Sequence, residues 1–136
     1  MCVSVNSELQ SVVVLCIDGN EAMLECEKSF LECFGYTVLM APNSGRALEL
    51  ASMHAVDVVV VDSLMPKMNG HEVFSEVRRL RPEAPIILLT GAADVPKRTL
   101  SLVDAFIVKD CLASQLLPVI AQLHGCERMA LPFYDA

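Results

Sequence analysis

The stretch Asp57–Gly70, DVVVVDSLMPKMNG, decides the fold of this chain. Four consecutive valines, Val58 to Val61, run directly into Asp62. A Met-Pro turn follows at Met65-Pro66, and Asn69-Gly70 then precedes a helical pattern. A continuous β-branched run bounded by a turn predicts a strand buried on both faces, as in a parallel sheet. Asp62 then stands at the carboxyl end of a central strand, where open α/β sheets place their ligands. A carboxylate there is able to accept a phosphoryl group, because carboxylates form covalent phospho-intermediates. For an isolated Asp the commoner reading is a cap on the next loop, so its neighbours decide.

Three more apolar runs end on reactive side chains. Val12 to Ile17 leads to Asp18, Pro85 to Leu89 to Thr90, and Ala105 to Val108 to Lys109. In a parallel sheet all these ends face one edge. The ordered set, with Met65-Pro66 and Asn69-Gly70 after Asp62, resembles the receiver domain of two-component response regulators, over roughly residues 11–124.

Strand and helix patterns alternate without a linker. Helices are expected over about 20–34, 44–53, 70–80 and 114–124, and strands over about 12–17, 36–40, 57–61, 85–89 and 105–108. The first helix offers Met23, Cys26, Phe30, Cys33 and Phe34 at core spacing, and Gly35 ends it. In the last helix Leu116, Leu117, Ile120 and Leu123 form the inward face, with Pro118 near the first turn, where a missing N–H costs little. Five β-α units with right-handed crossovers predict an α/β fold, a three-layer α/β/α sandwich on a five-stranded parallel sheet. The resemblance implies the flavodoxin-like strand order 2-1-3-4-5.

Composition narrows the setting. The 136 residues suit one domain, with an amino-terminal extension (1–10), a core (11–124) and a tail (125–136), and no room for an appended output domain. Although 54% of the residues are hydrophobic, no apolar run reaches the ~18–20 residues of a membrane helix. No secretory signal pattern opens the chain. The six cysteines form no CxxC pair and no metal-ligand spacing, so most are expected as buried apolar fillers in a reducing cytoplasm. A net charge of −7 argues against nucleic acid as a direct partner, since that affinity rests on phosphate neutralisation.

The resemblance implies a chemistry. Moving a phosphoryl group onto a carboxylate brings two anions together, so catalysis is mainly positioning and charge neutralisation. Mg²⁺ suits the task because it takes carboxylate oxygens while keeping waters and a phosphate oxygen. The implied ligands are Asp18, Asp62 and the backbone carbonyl of Leu64. Lys109 corresponds to the lysine that pairs with a phosphoryl oxygen, Thr90 to the hydroxyl that turns toward it, and Phe106 to the aromatic switch position. Each has a structural alternative: Lys109 as a static partner of Asp62, Thr90 as a strand-end cap, Phe106 as core. The implied partners are a sensor histidine kinase or phosphotransfer protein and an unidentified downstream protein.

Three departures from that pattern stand out. Gly19 occupies the place of a usual acidic metal ligand, which implies a weakened Mg²⁺ site, with Asn20 or a water left to fill the gap. Glu21 is a remote candidate that better complements the helix dipole. Lys109-Asp110 replaces a usual Lys-Pro, so an ordinary trans turn is expected. Only Gly91 to Asp104 separates Thr90 from the last strand, which leaves room for a brief helix starting at Asp94-Val95-Pro96. The tail, with Met129, Leu131, Phe133 and Tyr134, has no single reading. Three functions stand against one another. The first is a phosphoacceptor switch and not an enzyme in the usual sense. The second is a pseudo-receiver, an interaction module without phosphorylation, which Gly19 favours. The third is a phosphatase resembling the haloacid dehalogenase family, disfavoured because Leu64 stands where that family carries a second Asp.

Overall fold

A computed structural model describes residues 12–62, 70–91 and 97–124. Five parallel strands, β1 (Val13–Ile17), β2 (Thr37–Ala41), β3 (Val58–Asp62), β4 (Ile86–Thr90) and β5 (Ala105–Val108), form one sheet in the order β2-β1-β3-β4-β5. Among the described residues five helices connect or follow them: α1 (Glu21–Glu32), α2 (Ser44–Met53), α3 (Gly70–Leu80), α4 (Lys97–Leu100) and α5 (Leu112–His124). The apolar runs anticipated in the sequence are the central strands, and every residue of β3 and β4 is buried.

Alternation along the strands splits the core into two layers. Leu15, Ile17, Val59, Val61, Ile86 and Leu88 pack against α2 and α3. Val14, Cys16, Val58, Val60, Ile87, Leu89 and Ile107 face α1 and α5 on the other side. Burying one such Leu or Ile is worth about 1.5–3 kcal/mol. Two aspartates clamp the amino ends of strand pairs. Asp57 Oδ2 accepts from Val13 N at 2.8 Å, and Asp104 Oδ2 accepts from Ile86 N and from Arg78 Nη2, each at 2.8 Å. Asp104 thereby closes the crossover between β4 and β5, in which α4 has only four residues.

Helix α1 corrects the sequence reading. Its buried residues are Leu24, Glu27 and Leu31; Cys26 and Cys33 are exposed, and Phe34 is 56% exposed. The face is rotated by about one residue, because the two leucines seven apart fill the space over β1 while the smaller cysteines face solvent. Cys16 alone of these three thiols is a buried filler. Asn20 starts the helix by accepting from Ala22 N and Met23 N. Gly35 closes the turn after the helix at φ 94°, and Tyr36 N donates to Leu31 O, an ending that glycine favours.

The last helix begins earlier than anticipated. A 3-10 turn (Lys109–Cys111) runs into α5, so Pro118 lies inside the helix rather than in its first turn. The peptide between Lys109 and Asp110 is trans, in keeping with the absence of proline there. Leu116 and Ile120 are buried, with Leu117 and Leu123 half-buried. The Leu64 carbonyl, the Met65-Pro66 and Asn69 turn, the start of the brief helix at Asp94 to Pro96, the amino-terminal extension and the tail lie outside the described residues.

Candidate functional site

The strand order fixes where a site forms. From β1 the chain passes outward to β2, then returns past β1 to β3, so the connections diverge between β1 and β3. Open sheets bind ligands at the carboxyl ends beside such a point. The register pairs Ile17 with Val61, and each strand's next residue is an aspartate, Asp18 and Asp62. The register Thr90–Val108 likewise brings Lys109 one step beyond the end of β4.

Alternation also sorts the side chains. Asp18 continues the face of Val14 and Cys16, Asp62 that of Val58 and Val60, and Lys109 that of Ile107, all toward α1 and α5. Two of these meet directly: Lys109 Nζ lies 2.8 Å from Asp62 Oδ1. Thr90 and Phe106 belong to the opposite face, with Ile86 and Leu88. Thr90 is buried, whereas Phe106 is 40% exposed, which removes its reading as core.

Asp18 and Asp62 are both nearly inaccessible, at 1% and 5% exposure. Asp18 Oδ1 accepts from Asn20 N at 2.8 Å, and its buried Oδ2 has no hydrogen-bond partner. Burial pushes the Asp18 carboxyl up to about 6; the Asn20 N–H opposes this, Asp62 raises it further, and Lys109 lowers it. Of these two buried carboxylates, Asp62 is paired with the Lys109 ammonium, and one oxygen of Asp18 is orphaned. That donor set, hard oxygens with an excess of negative charge, fits Mg²⁺. Among the described residues no three Asp, Glu, His or Cys side chains are grouped closely enough to hold a metal on their own. Any ion held here therefore completes its shell from waters, backbone or substrate oxygens.

At position 19 a Cβ would meet nothing within 4 Å, so a side chain there would enter open space. Asn20 does not fill it, because its side-chain oxygen is engaged in capping α1. Glu21 is exposed in the first turn. The residue that sequence reasoning missed is Glu27, buried on α1 and raised to about 7 by burial and then by Asp18. Its signal was present in the spacing of Leu24, Glu27 and Leu31, which places an acid in the middle of an apolar stripe.

Residues 14–121 match the response regulator receiver domain. A response regulator, MprA, of Mycobacterium sp. (strain KMS) is 30% identical over 134 residues, covering 91% of this chain and 58% of its own length. A probable transcriptional regulator, ycf27, of Guillardia theta is 32% identical over 111 residues, 79% of this chain and 43% of that protein. The chain thus spans about half the length of the curated relatives it matches. Among solved structures, a CheY-like receiver domain from Methanospirillum hungatei JF-1 superposes with a TM-score of 0.78 at 27% identity, covering 89% of this chain and 99% of that one. The Thermotoga maritima response regulator TrrA, solved in complex with Mg(2+)-BeF, gives a TM-score of 0.75 at 28% identity over 82% of this chain and 98% of that one. With two buried strand-end aspartates, a lysine paired to one of them and this match over most of its length, the chain belongs to the response regulator receiver domain family of two-component systems.

Proposed function

We propose that this chain is a phosphoacceptor switch in which Asp62 takes a phosphoryl group from a phosphohistidine on a sensor kinase or phosphotransfer protein. The observation that carries the reading is the Lys109–Asp62 ion pair at 2.8 Å, set beside a second buried carboxyl with an orphaned oxygen. An oxygen of Asp62 attacks phosphorus, the bond from phosphorus to the donor imidazole nitrogen breaks, and an acyl phosphate forms. Asp18 and Asp62 would hold Mg²⁺, with the Leu64 carbonyl as the third protein ligand, and the ion would neutralise charge on the phosphoryl oxygens. Lys109, already placed against Asp62, transfers its ion pair to one of those oxygens.

The output follows from the other face. Thr90 ends β4 beside Asp62, and Phe106 lies on the same face of the sheet as Thr90. A hydroxyl drawn toward the phosphoryl group vacates space near Phe106, and the half-exposed ring follows it inward. A local charge change thereby biases a two-state surface that a downstream protein reads. Among the described residues no helix is long and apolar enough to cross a membrane, and the reading places the protein in the cytoplasm with its kinase's catalytic portion.

Incubation with acetyl phosphate and MgCl₂, followed by intact-mass measurement, tests the reading. One added phosphoryl group that requires Mg²⁺ and is absent in Asp62→Asn supports it. The open position at Gly19 favours a second reading, an interaction module that works without phosphorylation. No mass gain from either acetyl phosphate or a phosphorylated histidine-containing donor makes that reading the better one.

A further inference from the structure

Glu27 is a carboxylic acid inside an apolar layer. It stands on α1 between Leu24 and Leu31, only 2% exposed, and its Oε2 has no hydrogen-bond partner. The Cys16 thiol lies within hydrogen-bonding reach of the carboxyl. Burying a carboxyl in this way costs stability that an apolar side chain would have supplied. Such a residue calls for a function.

The fold says where Glu27 faces. Cys16 lies on β1 and Asp18, two residues on, just beyond its end, so the two share one side of the sheet, the side that α1 covers. The charged groups acting on Glu27 are Asp18 most strongly, then Asp62 and Lys109, the same three that make the candidate site. The carboxyl therefore stands on the α1 side of the sheet, the side to which Asp18 and Asp62 also belong. Position 19 contributes no acid.

We propose that Glu27 is the third acidic group of the divalent-cation site, supplying from α1, through a water of the ion's shell, the negative charge that Gly19 does not provide. The inference rests on the reading of Asp18 and Asp62 as cation ligands. A water-mediated role is required because, among the described residues, no three acids are grouped for direct ligation. Mg²⁺ keeps several of its waters when bound by proteins. A buried carboxylate that accepts a hydrogen bond from one of them orients it and adds charge, as outer-shell partners do. Glu27 is thus a positioning residue for the cation and not a ligand.

The test is Mn²⁺ binding to the full chain, followed by the loss of the free-ion paramagnetic resonance signal, with melting temperature measured in parallel. Glu27→Gln should weaken binding roughly tenfold, the scale typical for loss of an outer-shell partner. Glu27→Leu should lose the same affinity while raising the melting temperature of the ion-free protein, which separates a charge effect from damage to the fold. Adding Gly19→Asp to Glu27→Gln should recover the affinity. Unchanged Mn²⁺ binding in Glu27→Gln would overturn the role of Glu27 and leave the Asp62 reading intact. An affinity loss accompanied by a lower melting temperature in both variants would also overturn it. No Mn²⁺ binding by the parent protein would overturn this inference and the cation site together.

Discussion

Lys109 Nζ sits 2.8 Å from Asp62 Oδ1, an ion pair between the ends of two strands, β5 and β3, that have β4 between them. The pair spans the sheet edge above Thr90, so the residue between them is framed by both. Asp62 is 5% exposed and the Lys109 side chain 27%, so the ammonium is the wetter partner. Removing it leaves two buried carboxylates, Asp18 and Asp62, without their cation.

Lys109→Ala should therefore act twice. Breaking a buried pair costs about 3–5 kcal/mol, and the partial exposure of Lys109 reduces this to about 1–3 kcal/mol in ion-free buffer. Urea denaturation with and without Mg²⁺ checks this, since a divalent cation should recover most of the loss. Phosphoryl uptake from acetyl phosphate should also slow by at least roughly tenfold, because a positioned charge on the transferring group is lost. Wild-type uptake with reduced stability would make Lys109 a static partner of Asp62 and nothing more.

Gly19→Asp should tighten Mg²⁺ binding by about tenfold, the effect of one more hard oxygen ligand in a site short of carboxylates. The added side chain meets open space, so the fold should tolerate it. Calorimetric titration with MgCl₂ reads the change directly. An unaltered affinity would mean that position 19 is not where the missing acid belongs.

Phe106 offers a reporter, because the chain has no tryptophan. Phe106→Trp should give an emission that shifts to shorter wavelength when Mg²⁺ and beryllofluoride are added, as the half-exposed ring moves inward. Thr90→Ala in that background should suppress the shift while acetyl phosphate still labels Asp62. A shift that survives Thr90→Ala would uncouple the hydroxyl from the ring.

Most of the fold was legible in the apolar runs, since strands buried on both faces need uninterrupted Val, Ile and Leu, and β3 and β4 have them. The candidate constellation was legible for the same reason: Asp18, Asp62, Thr90 and Lys109 each follow such a run. Helix α1 was harder. Period alone allows two stripes there, one through Met23, Cys26 and Phe30 and one through Leu24, Glu27 and Leu31, and the carboxyl in the second makes it the less apolar of the two although it is the buried one. The acid carries a cost there, because burial and the neighbouring Asp18 and Asp62 carboxylates all disfavour its charge. Pro118 misled similarly. Its place in the helix interior depends on the 3-10 turn that starts the helical path at Lys109.

Glu27 also makes stability depend on pH. The groups facing it are Cys16 from β1, Asp18 just beyond β1, Asp62 from β3 and Lys109 beyond β5, and its carboxyl rises from an ordinary 4.5 to about 7, through burial first and Asp18 second. Asp18 moves the same way, from 3.8 to about 6. An acid whose value is raised in the folded state binds its proton more tightly there than in the unfolded chain. Its contribution is fully present below the unfolded value and is lost as pH rises through the folded one. In ion-free buffer, stability should thus fall between about pH 4 and about pH 7, by a few kcal/mol in all, since each tenfold gain in proton affinity on folding is worth about 1.4 kcal/mol. Urea midpoints across that range, taken with EDTA, measure the slope. Glu27→Gln should flatten it by about one proton's share and stabilise the protein most at the alkaline end. Mg²⁺ should have its largest stabilising effect at that same end, where the carboxylates are charged and repel one another. A slope that Glu27→Gln leaves unchanged would mean that Glu27 keeps its ordinary acidity despite its burial.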